Sequence, residues 1–247
     1  RAIEEARSAG LENCNIDLMH GLPGQAVDDA LSDLERALSL SPTHLSWYQL
    51  TIEQNTEFYR YPPKLPEDDL LWEIQQAGAG ILQASGFSQY EVSAYSKTGQ
   101  QAQHNLNYWR FGDYIGIGAG AHSKLSYLNA EGSVIQQRRY RKTRMPSDYL
   151  KTIATSTLAV SGGMGLRLGE TAIPQEDLSV EFLMNVLRLK QGVEENLFTT
   201  RTGLSIDVLE PALTELRALG LMKDKGLCTT DKGLLFLNTV LEKFAEN

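Results

Sequence analysis

Apolar and polar positions in the first 120 residues alternate between a helical and an extended period, which predicts helices and strands in turn. Apolar residues at helical spacing predict helices over residues 1–9, 27–40 and 70–85, with Gly10, Pro42 and Gly86 as stop signals. Mostly apolar extended runs predict strands over residues 15–20, 44–52, 87–95 and 114–118, with a polar loop over 53–66. This alternation is typical of βαβ units with parallel strands. Three such units are too few for a closed eight-stranded barrel and would suit the second half of a partial barrel.

The pattern changes near residue 160. Glycines at 162, 163, 165 and 169 predict a weakly structured linker over residues 161–178. Beyond it, apolar spacing predicts helices starting at 179, over 194–200 and over 205–219, two short strands at 221–223 and 227–229, and a last helix over 231–244. We therefore expect a barrel domain over 1–160 and a small winged-helix-like domain over 179–247. Its third helix carries Glu210, Glu215 and Arg217, which favours a structural or protein-contact role over DNA binding.

Composition narrows the class of protein. The net charge of −8 argues against nucleic-acid binding through phosphate contacts. No apolar run reaches the length of a membrane span. Cys14, in a predicted buried strand, and Cys228 are far apart and fit no metal spacing, which indicates two reduced thiols in a cytoplasmic protein. Because the chain begins with Arg1 inside a predicted helix, we expect it to be the C-terminal part of a longer protein.

The richest candidate for chemistry is the run over residues 103–109, which contains His104, Asn105, Tyr108 and Trp109. An imidazole, amides and aromatic faces together suit a flat aromatic ligand. A lone histidine is more often a surface residue, and the aromatic residues from Tyr108 onward could instead form a hydrophobic edge packed on the barrel. The residues alone leave both interpretations open.

Three further features have two interpretations each. The Gly-rich segment over residues 116–121 would let a ligand approach the main chain, and His122 after it could contact that ligand or bond locally. Asp17 in its predicted strand is either paired in the core or directed into a site at the strand's C-terminal end. The basic run over residues 138–144 is either a solvated strand face or a counter-charge for carboxylates.

Four long motifs carry a resemblance to a known family: Asn-Ile-Asp-Leu-Met-His-Gly-Leu-Pro at 15–23, His-Leu-Ser-Trp-Tyr-Gln-Leu-Thr-Ile-Glu at 44–53, the run 104–109, and Gly-Ile-Gly-Ala-Gly-Ala-His-Ser at 116–123. Over nearly its whole length the chain resembles the HemW family of radical-SAM heme chaperones, which is grouped with the oxygen-independent coproporphyrinogen III oxidases. The resemblance implies a partial (β/α)6 radical-SAM barrel followed by a C-terminal helical domain. It also implies S-adenosylmethionine, heme and a [4Fe–4S] cluster as cofactors.

The resemblance also implies roles for particular residues. Asp17, Thr51 and His122 match positions that contact S-adenosylmethionine. His104, Asn105, Tyr108 and Trp109 match a run linked to heme binding, with His104 as the donor to the heme iron, and the basic run could meet the heme propionates. Where the oxidases tend to carry Asp-His-Phe-Ala, this chain has Ser-Ala-Tyr-Ser at 93–96, which favours the chaperone.

The family's cluster motif, Cys-x3-Cys-x2-Cys, does not occur in this chain. Three thiolates hold such a cluster when S-adenosylmethionine takes the fourth iron, so we expect the cluster only in the intact protein and no catalysis by this chain alone. The leading hypothesis is a heme chaperone that delivers heme to acceptor proteins. The alternatives are a coproporphyrinogen III oxidase of porphyrin biosynthesis and a domain that merely folds. A membrane-associated acceptor and a homodimer stay open as partners.

Overall fold

The computed structural model describes residues 1–155 and 169–246 of the chain. Their contacts define two compact units, Arg1–Ala102 and Gln103–Asn247, and both contain helices and strands. The predicted α/β class is therefore confirmed. The domain boundaries predicted at residues 160 and 178 stay a prediction, and the part of the predicted linker over 161–168 lies outside the described residues. In the part of the linker that is described, Gly169–Ala172 forms a strand and a helix begins at Gln175.

The first unit alternates helices and strands in the predicted order. Its elements are α1 (Ala2–Ser8), β1 (Asn15–His20), α2 (Val27–Ser39), β2 (His44–Gln49), α3 (Glu57–Arg60), α4 (Asp68–Ala84), β3 (Ser88–Gln89) and β4 (Ala94–Ser96). The sheet has the order β1-β2-β4-β3, and β1 and β2 pair in parallel as predicted.

The two faces of this sheet differ in character. Side chains alternate between the faces of a strand. On one face, apolar residues of β1 and β2 form a core with helices α2 and α4, which includes Leu45, Trp47, Leu34, Ile74 and Leu82. The opposite face carries the polar residues Asn15, Asp17, His44 and Ser46, because Asn15 is the register partner of His44 and Asp17 that of Ser46. The helices thus cover one face and leave a polar face on the other.

Five details of the first unit differ from the sequence predictions. The strand predicted over 87–95 is two short strands, β3 and β4, separated by a turn, and β4 runs antiparallel to β2 instead of parallel. Strand β2 ends at Gln49, three residues earlier than predicted, and the predicted loop over 53–66 contains the short helix α3. Cys14 lies half-buried just before β1 and not within a strand.

The second unit joins an antiparallel sheet to a set of helices. Its elements are α5 (Gln103–Trp109), β5 (His122–Leu128), β6 (Val134–Arg141), α6 (Pro146–Thr155), β7 (Gly169–Ala172), α7 (Gln175–Val186), α8 (Asn196–Thr202), a 3-10 helix (Ile206–Leu209), α9 (Ala212–Ala218), α10 (Asp231–Leu235) and α11 (Leu237–Ala245). The sheet order is β5-β6-β7, with both pairs antiparallel. The strand predicted over 114–118 is wrong: Tyr114 makes only an isolated bridge to Lys124, and Gly118 has a φ of 104° that breaks an extended run.

The C-terminal part follows the predicted helical pattern with two interruptions. The helix predicted over 205–219 is divided at Pro211, which cannot donate a helical hydrogen bond, into the 3-10 helix and α9. The last helix is divided at Phe236 into α10 and α11. An isolated bridge between Met222 and Thr229 stands where two small strands were predicted. Residues from α7, α8, α9 and α11 share one core with Phe111.

Candidate functional site

Helix α5 displays two of the predicted heme-binding side chains on one open face. His104 and Tyr108 are four residues apart, so they lie on the same side of the helix, and both are exposed. Leu106, between them in sequence, is buried on the other side. Within the described part of the chain, the His104 imidazole makes no hydrogen bond or ion pair. Its ring nitrogens are therefore accessible to an external ligand.

Asn105 and Trp109, the other two predicted heme contacts, are half-buried. The Arg188 guanidinium lies 4.3 Å from the centroid of a Trp109 ring, so one face of the indole is already covered. The Trp109 indole nitrogen is buried and meets no hydrogen-bond acceptor among the described residues. Asn107 Nδ2 donates to the Asp113 carbonyl at 2.9 Å and so ties the helix to the segment that follows it. Helix α5 thus has one open face, and its other side chains hold it in place against the rest of the fold.

Tyr114 extends the open face of α5 toward the Gly-rich segment. Its ring centroid lies 4.5 Å from that of Tyr108, in a tilted arrangement. Burial, as the largest effect, raises the pKa of the Tyr114 phenol, so its hydroxyl stays neutral at physiological pH. The two phenol rings together form an aromatic surface beside His104's face of the helix.

Two glycines of the Gly-rich segment have different surroundings. A Cβ at Gly116 would lie 2.1 Å from the His122 carbonyl oxygen, so this glycine is needed for contact between two backbone segments. At Gly118 no described atom lies within 4 Å of a Cβ position, and its φ of 104° disfavours other residues. The small residues were predicted to let a ligand approach the main chain. Open space for that approach exists at Gly118, whereas Gly116 serves the local fold.

His122 and the basic run lie side by side in the second unit. His122 is exposed at the start of β5, and its register partner on β6 is Arg141. Earlier in β6, Arg138 pairs with Glu170 and Arg139 pairs with Glu181. Backbone hydrogen bonds from Gly120 to Thr143 and from Lys142 to Ala121 join the Gly-rich segment to the end of the run. Part of the basic run is therefore neutralised within the fold, as expected of a strand face.

Asp17 is exposed on the polar face of the first unit and is held by its neighbours. Asn15 Nδ2 donates to Asp17 Oδ1 at 2.8 Å. Asn15 Oδ1 lies 2.6 Å from His44 Nδ1, and His44 Nε2 lies 2.8 Å from the Tyr90 hydroxyl. His44 and Tyr90 are buried. Sequence analysis did not connect these residues, although Asn15 and Asp17 stand at alternating positions of a predicted strand, and His44 opens the next.

Thr51 lies two residues beyond the end of β2, exposed, and its hydroxyl donates to Glu53 Oε1 at 3.1 Å. Asp17 and Thr51 belong to the first unit, and the other predicted site residues belong to the second. Their roles in binding S-adenosylmethionine or heme stay predictions.

The chain matches known proteins over almost its whole length. Residues 173–236 match the family model described as HemN C-terminal domain. The chain is 45% identical over 249 residues to the heme chaperone HemW of Escherichia coli (strain K12), a match that covers 99% of this chain and 61% of that protein. It is 43% identical to the heme chaperone HemW of Haemophilus influenzae, across 98% of this chain and 60% of that protein.

The chain is homologous to the HemW heme chaperones. It spans about three-fifths of the length of these HemW proteins. Among solved structures, it is similar to coproporphyrinogen III oxidase (HemN) from Escherichia coli, described as a radical SAM enzyme, with a TM-score of 0.71 and 18% identity over 98% of this chain and 57% of that one. At this identity the likeness concerns the fold alone, and the predicted likeness of fold to the coproporphyrinogen III oxidases is confirmed.

The HemW resemblance raises the question of whether the residues here fit a metal cluster. In residues 1–155 and 169–246, no group of three or more His, Cys, Asp or Glu side chains is placed to hold a metal ion. Cys14 and Cys228 are free thiols in different units, and the Cys228 thiol donates to the Lys190 carbonyl at 3.5 Å. These residues do not fit a [4Fe–4S] cluster, so we assign no step of a mechanism to one. As for membranes, the helices of the described part are too short or too polar to cross one.

In the C-terminal part that matches the HemN family model, Arg217 makes contacts within the fold. Arg217 on α9 pairs with Glu195 at 2.6 Å and donates to the carbonyls of Lys223 and Gly226. Arg217, the basic side chain of the helix predicted over 205–219, thus joins that helix to the turn after it. This arrangement agrees with the structural role expected for the module.

Proposed function

We propose that this chain binds heme and takes part in its delivery to heme-accepting proteins, as a heme chaperone does. The observation that carries the proposal is the 45% identity to a curated heme chaperone across 99% of this chain. The proposal requires neither a membrane-associated acceptor nor a homodimer. It concerns heme transfer and assigns no catalytic residue.

In this proposal the heme site is the open face of α5. The exposed His104 imidazole supplies the donor to the heme iron, since neutral imidazole is a common axial ligand. Tyr108, backed by the Tyr114 ring, packs on the macrocycle through its aromatic face. Asn105 and the uncovered side of Trp109 border the same site. Heme, when bound, contributes the iron and an apolar plane, and the chain contributes the ligand and the packing surface.

We further propose that Asp17, Thr51 and His122 contact S-adenosylmethionine. Support comes from the HemN-like fold, because the solved relative is described as a radical SAM enzyme. The polar face of the first sheet presents the Asp17 carboxylate in an exposed position, as contact with a polar cofactor requires. Any [4Fe–4S] cluster would belong to the intact protein.

A hemin titration tests the heme site. The chain, His104→Ala and His122→Ala are titrated with hemin, and the Soret band is followed. We expect a saturable shift near one equivalent for the chain and for His122→Ala. We expect His104→Ala to have an altered Soret maximum and an affinity lower by about tenfold or more, the effect of losing roughly 1.4 kcal/mol of ligation energy. His122→Ala is the matched control, because it removes the other exposed histidine.

Two outcomes would overturn the assignment. A titration without saturation would show that the chain does not hold heme, and an equal loss in both variants would place the site elsewhere than at His104. Turnover of coproporphyrinogen III by the full-length protein, without stable heme binding, would favour the oxidase over the chaperone.

A further inference from the structure

The hydrogen bonds beside Asp17 form a chain that crosses two strands and ends in the interior of the first unit. Asp17 is exposed, and Asn15 bonds to it from the same face of β1. His44, buried at the start of β2, is the register partner of Asn15 and lies 2.6 Å from its side-chain oxygen. Tyr90, also buried, lies 2.8 Å from the other ring nitrogen of His44. The chain thus connects a solvent-facing carboxylate to a buried imidazole and phenol.

The chemistry of the groups sets the direction of these bonds. An ionised carboxylate only accepts, so Asn15 must present its amide nitrogen to Asp17 and its oxygen to His44. An amide oxygen only accepts, so His44 Nδ1 must carry a proton. In the neutral imidazole the remaining nitrogen, Nε2, then accepts from the Tyr90 hydroxyl. Each donor therefore points along the chain toward Asp17, and each bond polarises the next.

This directed chain has a mechanical consequence for Asp17. An exposed carboxylate is normally free to rotate, because water satisfies it in any rotamer. Here Asn15 can hold the carboxylate only if its own amide is oriented, and the buried His44 orients that amide. The Ser46 hydroxyl adds a longer bond of 3.3 Å to the same Asn15 oxygen. The rigid end of the chain is therefore His44, since it is packed inside the protein.

We propose that His44 is a positioning residue that fixes the Asp17 carboxylate for contact with S-adenosylmethionine, through Asn15. The ligand in this statement rests on the proposed function, whereas the positioning rests on the geometry alone. His44 itself does not touch the ligand. Its effect is to present one carboxylate oxygen outward in a single orientation.

Side-chain NMR of the 247-residue chain tests the positioning. Nitrogen-15 shifts of the His44 ring should show a protonated Nδ1 and an unprotonated Nε2. In His44→Leu, we expect the signals of the Asn15 side-chain amide and of the Asp17 carboxyl carbon to change shift, and the Asn15 amide protons to exchange faster with water. In His44→Asn, whose amide nitrogen occupies nearly the place of Nδ1, both signals should return toward those of the unaltered chain.

His20→Leu is the matched control, because it removes the other buried histidine of the same sheet. The His20 ring lies against Trp47, 4.4 Å between centroids, on the helix-covered face, so its loss should leave the Asn15 and Asp17 signals unchanged. Thermal unfolding of each variant verifies that it is folded. Unchanged Asp17 signals in a folded His44→Leu, or equal changes in His20→Leu, would overturn the positioning role.

A titration with S-adenosylmethionine then separates the two claims. We expect the Asp17 carboxyl signal of the unaltered chain to shift with ligand, and the affinity of His44→Leu to fall about tenfold, with recovery in His44→Asn. If the hydrogen-bond chain is present but the Asp17 signal does not shift with ligand, the proposed contact with the cofactor is wrong, whereas the positioning role of His44 is retained. If both His44 variants bind as the unaltered chain does, His44 has no part in binding.

Discussion

At the scale of single residues, the exposed candidates for ligand binding could be predicted from sequence, whereas the buried polar network could not. His104 and Tyr108 were singled out from the run that contains them, and their exposure on one helix face agrees with a ligand-binding role. The connection from Asp17 to His44 was not foreseen. It depends on the pairing of β1 with β2, and a shift of one residue in that register would move every side chain to the other face.

His20 gives the first prediction, a loss of stability in mild acid. Burial, as the largest effect, lowers the pKa of His20 below its usual 6.5, and a hydrogen bond with Gln75 opposes it. Above pH 6.5 the imidazole is neutral in both the folded and unfolded states. As the pH falls from 6.5 through the lowered folded pKa, the unfolded chain takes up a proton that the folded chain refuses, so stability is lost, by at most about 1.4 kcal/mol per pH unit.

Urea unfolding at pH 7.5 and pH 5.5 measures this effect. His20→Gln should lose less unfolding free energy between the two pH values than the unaltered chain loses. His122→Gln, in which an exposed histidine is replaced, should keep the full dependence. Parallel pH profiles for the unaltered chain and His20→Gln would contradict the prediction.

Lys124 gives a second prediction at this scale. Its amine is buried, donates to the Phe111 carbonyl at 3.1 Å, and lies 3.9 Å from the centroid of the Phe111 ring. Burial lowers the pKa of Lys124, while the nearby Asp113 opposes that shift. Lys124→Met keeps the bulk but leaves the carbonyl and Asp113 without this donor, so we expect a loss of about 1–3 kcal/mol in unfolding free energy.

Lys97→Met is the control for Lys124→Met, because the exposed Lys97 also lies over a ring, that of Phe87, at 5.8 Å. Its unfolding free energy should change by no more than about 0.5 kcal/mol. Equal midpoints of urea unfolding for the two variants would show that the buried amine contributes nothing.

At the scale of elements, helices were predicted better than strands. The spacing of apolar residues predicted the bounds of α2 and α4 to within two residues, because the buried face of an amphipathic helix is visible within a single segment of sequence. The strands β3 and β4 were merged, since a run such as 87–95 does not reveal the turn that reverses it. For the hairpin of β5 and β6, the sequence predicted only a basic strand face. The pairing itself was missed, because it depends on contacts between two segments and leaves no pattern within either one.

Helix α4 gives a prediction with its own internal control. A Cβ at Gly78 would lie 1.7 Å from the Trp47 ring, whereas at Gly80 no described atom lies within 4 Å. Alanine is normally favoured over glycine inside a helix by roughly 0.5–1 kcal/mol. We therefore expect Gly80→Ala to stabilise the chain by about that amount. We expect Gly78→Ala to destabilise it by about 1–3 kcal/mol, because the added methyl group displaces a buried indole.

Urea midpoints of the two glycine variants provide the measurement. The substitutions are chemically identical and lie two residues apart in one helix, so propensity alone predicts the same sign for both. Opposite signs would establish that Gly78 makes room for Trp47. Stabilisation by both would mean that the ring is not held against the helix as described.

At the scale of the whole molecule, the resemblance to HemW was available from sequence because it rests on local motifs. The extent of each unit was not available, because it depends on which residues share a core. Phe111 shows this most clearly. Ten residues separate it from the start of the hairpin at His122, yet it packs in the core formed by the C-terminal helices. Its ring meets that of Phe182 edge to face at 5.5 Å, and Phe182 meets Phe198 at 5.2 Å.

The last prediction tests whether Phe111 joins these parts into one cooperative unit. Phe111 is fully buried, so Phe111→Ala should cost about 3–5 kcal/mol of unfolding free energy and leave a cavity beside Phe182. Phe236→Ala makes the same change at an exposed position and should cost far less. Because Phe111 meets Phe182 of α7, and Phe182 in turn meets Phe198 of α8, hydrogen exchange of the amides of both helices should quicken in Phe111→Ala. If those amides keep their protection while the chain as a whole is destabilised, the C-terminal helices form a core that does not depend on Phe111, and the domain boundary predicted near residue 179 gains support over the division at Gln103.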